Sequence, residues 1–197
     1  KMWVHEGITN YAEGLNKKCQ FGKKAGEDYS VGNRRLIRND KPIIPAYGVN
    51  AQGSGDMYPK GGDMLHTIRQ IVGDDEKWRG ILRGLNQHFW HQTVTGKQVQ
   101  EYISEHAEMN LSKVFEQYLT TAKVPVFEYH IAGDSLSYRW TDVVSGFDMP
   151  IRVTLADSTY SVIRPTAEWQ KTGVTLSSAD KFAVDRNYYV VVKEGQN

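Results

Sequence analysis

The charge balance argues against an obligatory nucleic-acid or anionic-membrane partner, because the 197 residues carry 24 basic and 23 acidic side chains, a net charge of +1. A hydrophobic content of 40%, with five tryptophans and eleven tyrosines, favours a packed core over intrinsic disorder. The single cysteine, Cys19, excludes an internal disulfide framework, and no apolar run approaches the roughly 20 residues that span a bilayer.

The first predicted helix covers residues 3–13 (W-V-H-E-G-I-T-N-Y-A-E). Trp3, Glu6, Asn10 and Glu13 recur at spacings of three and four, so these side chains share one helix face. A buried carboxylate without a partner is costly, and a metal ion is one partner that would remove the cost. The alternative is that His5 and Glu6 are ordinary surface residues of an amphipathic helix.

The remainder of the first half is also predicted to be helical. Residues 26–37 form a second helix candidate, and the glycine-rich residues 45–57 form a loop. Pro59 suits the first turn of a third helix, which Gly73 ends, and Asp74 can cap the fourth. Apolar stripes predict further helices around residues 78–89, 99–103 and 111–119.

The hydrophobic period changes from near four to two at about residue 123. Strands are predicted at residues 126–131, 135–140, 151–155, 160–163 and 188–193. Short strands at this spacing predict an antiparallel β-sandwich. The predicted fold class is therefore α+β, with a helical domain in residues 1–123 and a β-sandwich domain in residues 124–197.

Aromatic side chains are frequent in the predicted sandwich. They either form a carbohydrate- or peptide-binding face or pack in the core and along strand pairs, and the second is favoured because strands prefer aromatic residues. These residues are Tyr138, Trp140, Trp169, Tyr188 and Tyr189.

The histidines do not predict a self-contained metal site. A zinc helix of the H-E-x-x-H type needs a second histidine four residues after His5, and Thr9 stands there. His88 and His91 have a chelating spacing of three, but no carboxylate partner is evident, so ordinary exposed helix histidines are the favoured interpretation.

Several stretches, taken in order, resemble the aminopeptidase N family of zinc metallopeptidases, the gluzincins. Residues 3–13 resemble the family pattern W-[LVH]-x-E-G-x-x-x-Y-x-E, and residues 58–65 (Y-P-K-G-G-D-M-L) resemble Y-x-K-G-x-x-[VL]-[LI] at a helix start. Residues 68–74, 94–103 and 115–119 resemble the stretches that follow, so the ordered match covers most of residues 1–130.

This resemblance implies the helical C-terminal half of a thermolysin-like catalytic domain, followed by a β-sandwich. It implies that zinc is the cofactor of the full-length parent and that the parent removes N-terminal residues from a peptide substrate. Glu6 would be the third zinc ligand, and Tyr58 would be catalytic, donating a hydrogen bond to the oxyanion of the tetrahedral intermediate. A neutral phenol suits that role. The alternative for Tyr58 is an aromatic residue packed at a helix start.

The neighbouring motif residues are expected to be structural. His5 stands where many relatives carry asparagine, and we interpret it as a surface residue or a neighbour of the site. Gly61 and Gly62 would allow a close approach at the helix start, and Lys60 would provide a local charge partner.

The family's two zinc histidines, its general-base glutamate and the segment that reads the substrate's amino terminus have no counterpart in the sequence. A catalytic zinc needs three protein ligands. We therefore expect a C-terminal fragment whose partner is the missing N-terminal portion of the same protein, and which alone binds no zinc and is inactive. A non-catalytic peptidase-like scaffold or interaction module is the alternative, and epoxide hydrolysis on the same scaffold is a third.

Overall fold

The computed structural model describes residues 2–46, 48 and 51–195. The helices are α1 (Trp3–Phe21), α2 (Lys23–Asn33), α3 (Pro59–Val72), α4 (Asp75–His88), α5 (Gly96–Ala107) and α6 (Ser112–Thr120). The strands are β1 (Val126–Ala132), β2 (Ser135–Thr141), β3 (Ile151–Ala156), β4 (Thr159–Ile163), β5 (Gln170–Gly173) and β6 (Val191–Glu194). The predicted change from helices to strands near residue 123 is confirmed.

The helix boundaries follow from local capping. Gly73 ends α3 in a left-handed conformation with φ of 70°, and the Asp74 carboxylate accepts hydrogen bonds from the amides of Glu76 and Lys77 at the start of α4. Pro59 occupies the first turn of α3, as predicted. The second helix begins at Lys23 instead of residue 26, and a 3₁₀ turn, Arg34–Leu36, extends it.

The strands form two sheets. Four strands pair in the order β5-β2-β1-β6, and β3 pairs with β4. Strand β6 runs parallel to β1, with Val191 opposite Val126, so the expectation of an antiparallel arrangement throughout is wrong for this strand. The reason is local: the amide of Val191 binds the carbonyl of Pro125 at 2.9 Å, so both strands enter the sheet from the same end.

The predicted last strand, residues 188–193, begins three residues later than expected. Residues 185–190 instead lie against the helices, where the amide of Tyr189 donates to Thr67 Oγ1 at 3.0 Å and the hydroxyl of Tyr118 donates to the carbonyl of Tyr189 at 2.6 Å. These bonds use backbone groups that a strand would have paired with its neighbour.

One buried cluster of hydrophobic side chains runs from Trp3 of α1 to the segment before β6. Four of the five aromatic residues singled out in the predicted sandwich are buried in it, which confirms the core interpretation for those four: Tyr138, Trp140, Tyr188 and Tyr189. Trp169 is 48% exposed, and the Arg139 guanidinium lies over its ring. In the part of the chain that the structure describes, no helix is long and apolar enough to cross a membrane.

Candidate functional site

The crossing of α1 over the start of α3 brings Glu6 and Tyr58 together. The two helices approach so closely at Gly7 and Gly61 that a Cβ built on Gly7 would lie 3.2 Å from Gly61 Cα. A Cβ on Gly62 would lie 2.4 Å from Asn10 Oδ1. The absence of a side chain thus lets the two helix backbones approach at Gly7 and Gly61, and at Gly62 it leaves room for the Asn10 side chain, which confirms that Gly61 and Gly62 allow a close approach.

Tyr58 immediately precedes α3 and is 44% exposed. Partial desolvation, followed by the charge of the Glu6 carboxylate and hydrogen bonding with it, raises the pKa of the Tyr58 phenol above its ordinary value of 10.0. The phenol is therefore protonated at neutral pH and can donate a hydrogen bond to a negative oxygen.

Glu6 is half-buried on α1 and forms no ion pair with any residue in the described ranges. Each carboxylate of the predicted face has a tyrosine hydroxyl beside it: Glu13 accepts a 2.5 Å hydrogen bond from Tyr29, and Glu6 hydrogen-bonds with Tyr58. A carboxylate has several acceptor sites on its two oxygens, so Glu6 can meet a cation beside that hydrogen bond.

Lys60, the second residue of α3, is fully buried and anchors the site to the end of α6. Its ammonium donates to the carbonyl of Thr121 at 3.0 Å, and burial lowers its pKa to about 8, with the charge of Asp56 acting in the opposite direction. The predicted local charge partner is thus supplemented by a backbone carbonyl, whose proximity the sequence pattern could not reveal.

Partly buried hydrogen bonds hold the loop before Tyr58 in place. The Asp56 carboxylate accepts from the amides of Arg38 and Asn39 at 3.0 and 2.7 Å, and Ser54 Oγ donates to Asp40 at 2.8 Å. The predicted glycine-rich loop includes Tyr47, Val49 and Asn50, which lie outside the described residues. Sequence reasoning missed this support for Tyr58, because only the fold brings Asp56 to residues 38 and 39.

The histidines do not join this site. His5 is exposed, as its interpretation as a surface residue requires. The ring of His88 packs against Phe89 and Tyr102, at centroid distances of 4.6 and 5.1 Å, which supports the non-metal interpretation of this residue.

The donor set fits zinc only in part. Glu6 offers an anionic oxygen of the type that zinc accepts. Within residues 2–46, 48 and 51–195, no group of three or more histidine, cysteine, aspartate or glutamate side chains is placed to hold a metal ion. Glu6 can therefore act as one ligand, and the other protein ligands would have to come from outside these residues.

No family model matches the sequence. The chain is 28% identical over 148 residues to a protein named probable aminopeptidase 1 from Sulfurisphaera tokodaii, covering 70% of this chain and 19% of the relative. It is 25% identical over 148 residues to aminopeptidase N from Lactobacillus helveticus, covering 68% of this chain and 17% of the relative. The chain thus spans less than a fifth of the length of these relatives.

The fold is also similar to that of a solved protein. The crystal structure of Legionella pneumophila aminopeptidase A in complex with aspartic acid matches all of this chain with a TM-score of 0.69 and 14% sequence identity, over 24% of that protein. The chain therefore has a mixed helix-and-sheet fold similar to part of an aminopeptidase structure, and weak sequence similarity to proteins named aminopeptidases.

Proposed function

We propose that this chain is the C-terminal portion of a zinc-dependent aminopeptidase of the gluzincin type, which removes N-terminal residues from peptides. The observation that carries the proposal is the pairing of Glu6 with Tyr58 across the Gly7–Gly61 contact, where a carboxylate without an ion pair in the described residues lies beside a protonated phenol. The similarity to proteins named aminopeptidases supports it.

In this proposal Glu6 would hold zinc together with ligands from the N-terminal portion. The metal, when bound, would polarise the carbonyl of the scissile peptide bond as a Lewis acid. The half-buried position of Glu6 favours that role, because a carboxylate gains more from a cation where water is partly excluded.

Tyr58 would donate its phenolic hydrogen bond to the oxygen that becomes negative as the peptide carbon turns tetrahedral. With an ordinary pKa of about 10, a tyrosine keeps its proton in the working pH range. The partly buried hydrogen bonds of Asp56 and Lys60 hold the backbone on both sides of Tyr58. A donor fixed before the reaction stabilises developing charge without reorganising.

The finer architecture belongs to the same proposal. We propose that residues 1–123 belong to a thermolysin-like catalytic domain and that residues 124–197 form a β-sandwich domain. The chain alone would be inactive and would bind no zinc stoichiometrically, because a single carboxylate does not complete a site with three protein ligands.

The role of Tyr58 can be tested in the full-length protein that we propose. Tyr58→Phe should lower kcat for an aminoacyl-anilide by about two to three orders of magnitude while the zinc content stays unchanged, because only the oxyanion donor is removed. Tyr160→Phe, an exposed tyrosine in β4, is the matched control and should leave kcat unchanged. An unchanged kcat in Tyr58→Phe would exclude the proposed role.

The isolated chain provides the complementary test. Metal analysis after incubation with zinc and an aminoacyl-anilide assay should show neither stoichiometric zinc nor turnover. Stoichiometric zinc with turnover would contradict the requirement for ligands from an N-terminal portion. A full-length protein that also lacked zinc and turnover would favour the non-catalytic scaffold.

A further inference from the structure

A cleft separate from the Glu6–Tyr58 pair opens between the C-terminal half of α1 and helix α4. Its volume is about 540 Å³, inside the range of about 300–1,000 Å³ that small-molecule sites occupy. Its apolar walls include Leu15 of α1 with Trp78 and Leu82 of α4. A cleft of this size and lining can shelter the apolar body of a small ligand from water.

Both carboxylates that line the cleft have cationic neighbours. Asp75 is held between Lys18, at 2.5 Å, and the guanidinium of Arg69, at 2.7 Å. Arg69 is 7% exposed, so its guanidinium is largely used by this pair. Glu76 has only a loose pair with Arg79, at 3.9 Å.

Arg83 lies on the same helix at the exposed edge of the cleft. It forms no ion pair with another residue of the described ranges. The lining thus carries four cationic and two anionic side chains, an excess of two positive charges, which attracts an anion.

We propose that this cleft binds a small organic monocarboxylate with an apolar body. The body lies against Leu15 and Leu82, above the almost fully buried Trp78, and the carboxylate meets the guanidinium of Arg83, which can bind it through two parallel hydrogen bonds. A monoanion fits better than a dianion, because the Asp75 and Glu76 carboxylates line the same cleft. This inference is independent of the proposed peptidase function.

Cys19 provides a direct measurement of ligand binding in the cleft. It lines the cleft, is exposed and is the sole cysteine of the chain, so its rate of alkylation reports on the occupancy of this one place. The reagent is iodoacetamide, which is uncharged, and the probe is phenylbutyrate at constant ionic strength. We expect phenylbutyrate to slow the alkylation of Cys19 in a saturable manner.

Two control compounds test the contributions of the apolar body and of the carboxylate separately. Phenylbutyramide keeps the apolar body without the charge, and acetate keeps the charge without the body. Both should protect Cys19 much more weakly than phenylbutyrate. Equal protection by either compound, or no saturable protection by phenylbutyrate, would overturn the proposal.

Matched arginine variants test the anion contact. Arg83→Gln should weaken the protection by phenylbutyrate about two- to fivefold, because it removes one exposed charged contact. Arg35→Gln removes the same charge from an exposed position outside the cleft and should leave the protection unchanged. An equal effect of both substitutions would overturn the assignment of the carboxylate to Arg83.

Discussion

At the scale of single residues, the Glu6 carboxylate acts on the Tyr58 phenol from a neighbouring helix. Partial desolvation of the phenol and, after it, the negative charge of Glu6 disfavour the phenolate, so the proton is held more tightly than in a free tyrosine. An oxyanion donor benefits from this arrangement, because it must carry its proton at the pH at which it acts. This charge effect belongs to the metal-free pair, because a cation bound to Glu6 would offset it.

Glu6→Gln should lower the pKa of Tyr58 toward its ordinary value, because the substitution removes the charge that opposes ionisation. The shift can be measured in the isolated chain by NMR titration of ¹³C-labelled tyrosine, with Tyr58→Phe used to assign the signal. No zinc is needed for this measurement.

Glu13→Gln on the same helix is the matched control. The hydrogen bond from Tyr29 to Glu13 is the leading cause of the raised pKa of Tyr29, so this substitution should lower the pKa of Tyr29 and leave that of Tyr58 unchanged. If Glu6→Gln and Glu13→Gln moved the pKa of Tyr58 alike, the proposed contact between Glu6 and Tyr58 would be wrong.

Residue-scale prediction from the sequence has a clear limit. Glu6 and Tyr58 could be singled out because the surrounding motifs resemble a known family. The hydrogen bond from Lys60 to the carbonyl of Thr121 could not be predicted, because it joins residues separated by 61 positions and depends on where α6 ends. Sequence spacing reports on neighbours within one element, not on contacts between elements.

At the scale of elements, the contact between α1 and α3 determines whether Glu6 reaches Tyr58. A Cβ on Gly7 would lie 3.2 Å from two backbone atoms of Gly61 and 3.3 Å from the carbonyl oxygen of Met57. Backbone atoms cannot rotate away as a side chain can, so the helices would have to separate.

Gly7→Ala should lower the free energy of unfolding by about 1–3 kcal/mol, because overpacking outweighs the gain in helix propensity. The measurement is urea denaturation of the isolated chain.

Gly80→Ala is the control, because it lies inside α4 with nothing within 4 Å of the added Cβ. This substitution should raise the free energy of unfolding by roughly 0.5–1 kcal/mol. Stabilisation by both substitutions would show that the close crossing does not exist in solution.

Prediction of whole elements succeeds where hydrophobic pattern and capping agree. Asp74 predicts the start of α4, and the alternating residues from 126 onwards predict β1. Strand β5 (Gln170–Gly173) has the sequence Q-K-T-G, without an apolar residue, so no pattern could predict it. It pairs at the edge of the sheet with β2, and that pairing comes from the fold.

At the scale of the whole molecule, buried polar groups join the helices to the last part of the chain. His66 Nε2 lies 3.0 Å from Asn187 Oδ1, and Asn187 Nδ2 donates to Asp185 Oδ1 at 2.9 Å. Arg34 pairs with the buried Asp63 at 2.5 Å and donates to the carbonyl of residue 186 at 2.7 Å. No sequence pattern predicted the contacts of His66 with Asn187 or of Arg34 with residue 186 and Asp63, because these partners lie 121, 152 and 29 positions apart.

Burial lowers the pKa of His66 from 6.5 to about 4. Between these pH values the unfolded chain binds a proton that the folded chain does not, so this residue lowers stability as the pH falls from about 6.5 to 4. The loss of unfolding free energy from His66 over this interval is roughly 3 kcal/mol.

Asp63 changes stability in the opposite direction. Burial raises its pKa from 3.8 to about 6, and the charge of Arg34 acts against this shift. The folded chain therefore binds a proton before the unfolded chain does, and the contribution of Asp63 to stability rises as the pH falls through about 6.

The two variants should therefore change the pH dependence in opposite directions relative to the unsubstituted chain. When the pH is lowered from 6 to 4, the free energy of unfolding of His66→Gln should fall less than that of the unsubstituted chain, or should rise, because the destabilising contribution of the histidine is gone. In Asp63→Asn it should fall more steeply over the same interval. Urea denaturation at several pH values gives both slopes, and slopes that shift in the same direction would contradict the assignment.

The most direct test of the central claim is the zinc content of the full-length protein with and without the Glu6 carboxylate. The unsubstituted protein and a control with Glu101→Gln, an exposed carboxylate of α5, should contain stoichiometric zinc. Glu6→Gln should lose most of the zinc and the aminoacyl-anilide hydrolysis together, because a ligand is removed. Stoichiometric zinc retained in Glu6→Gln would contradict the account.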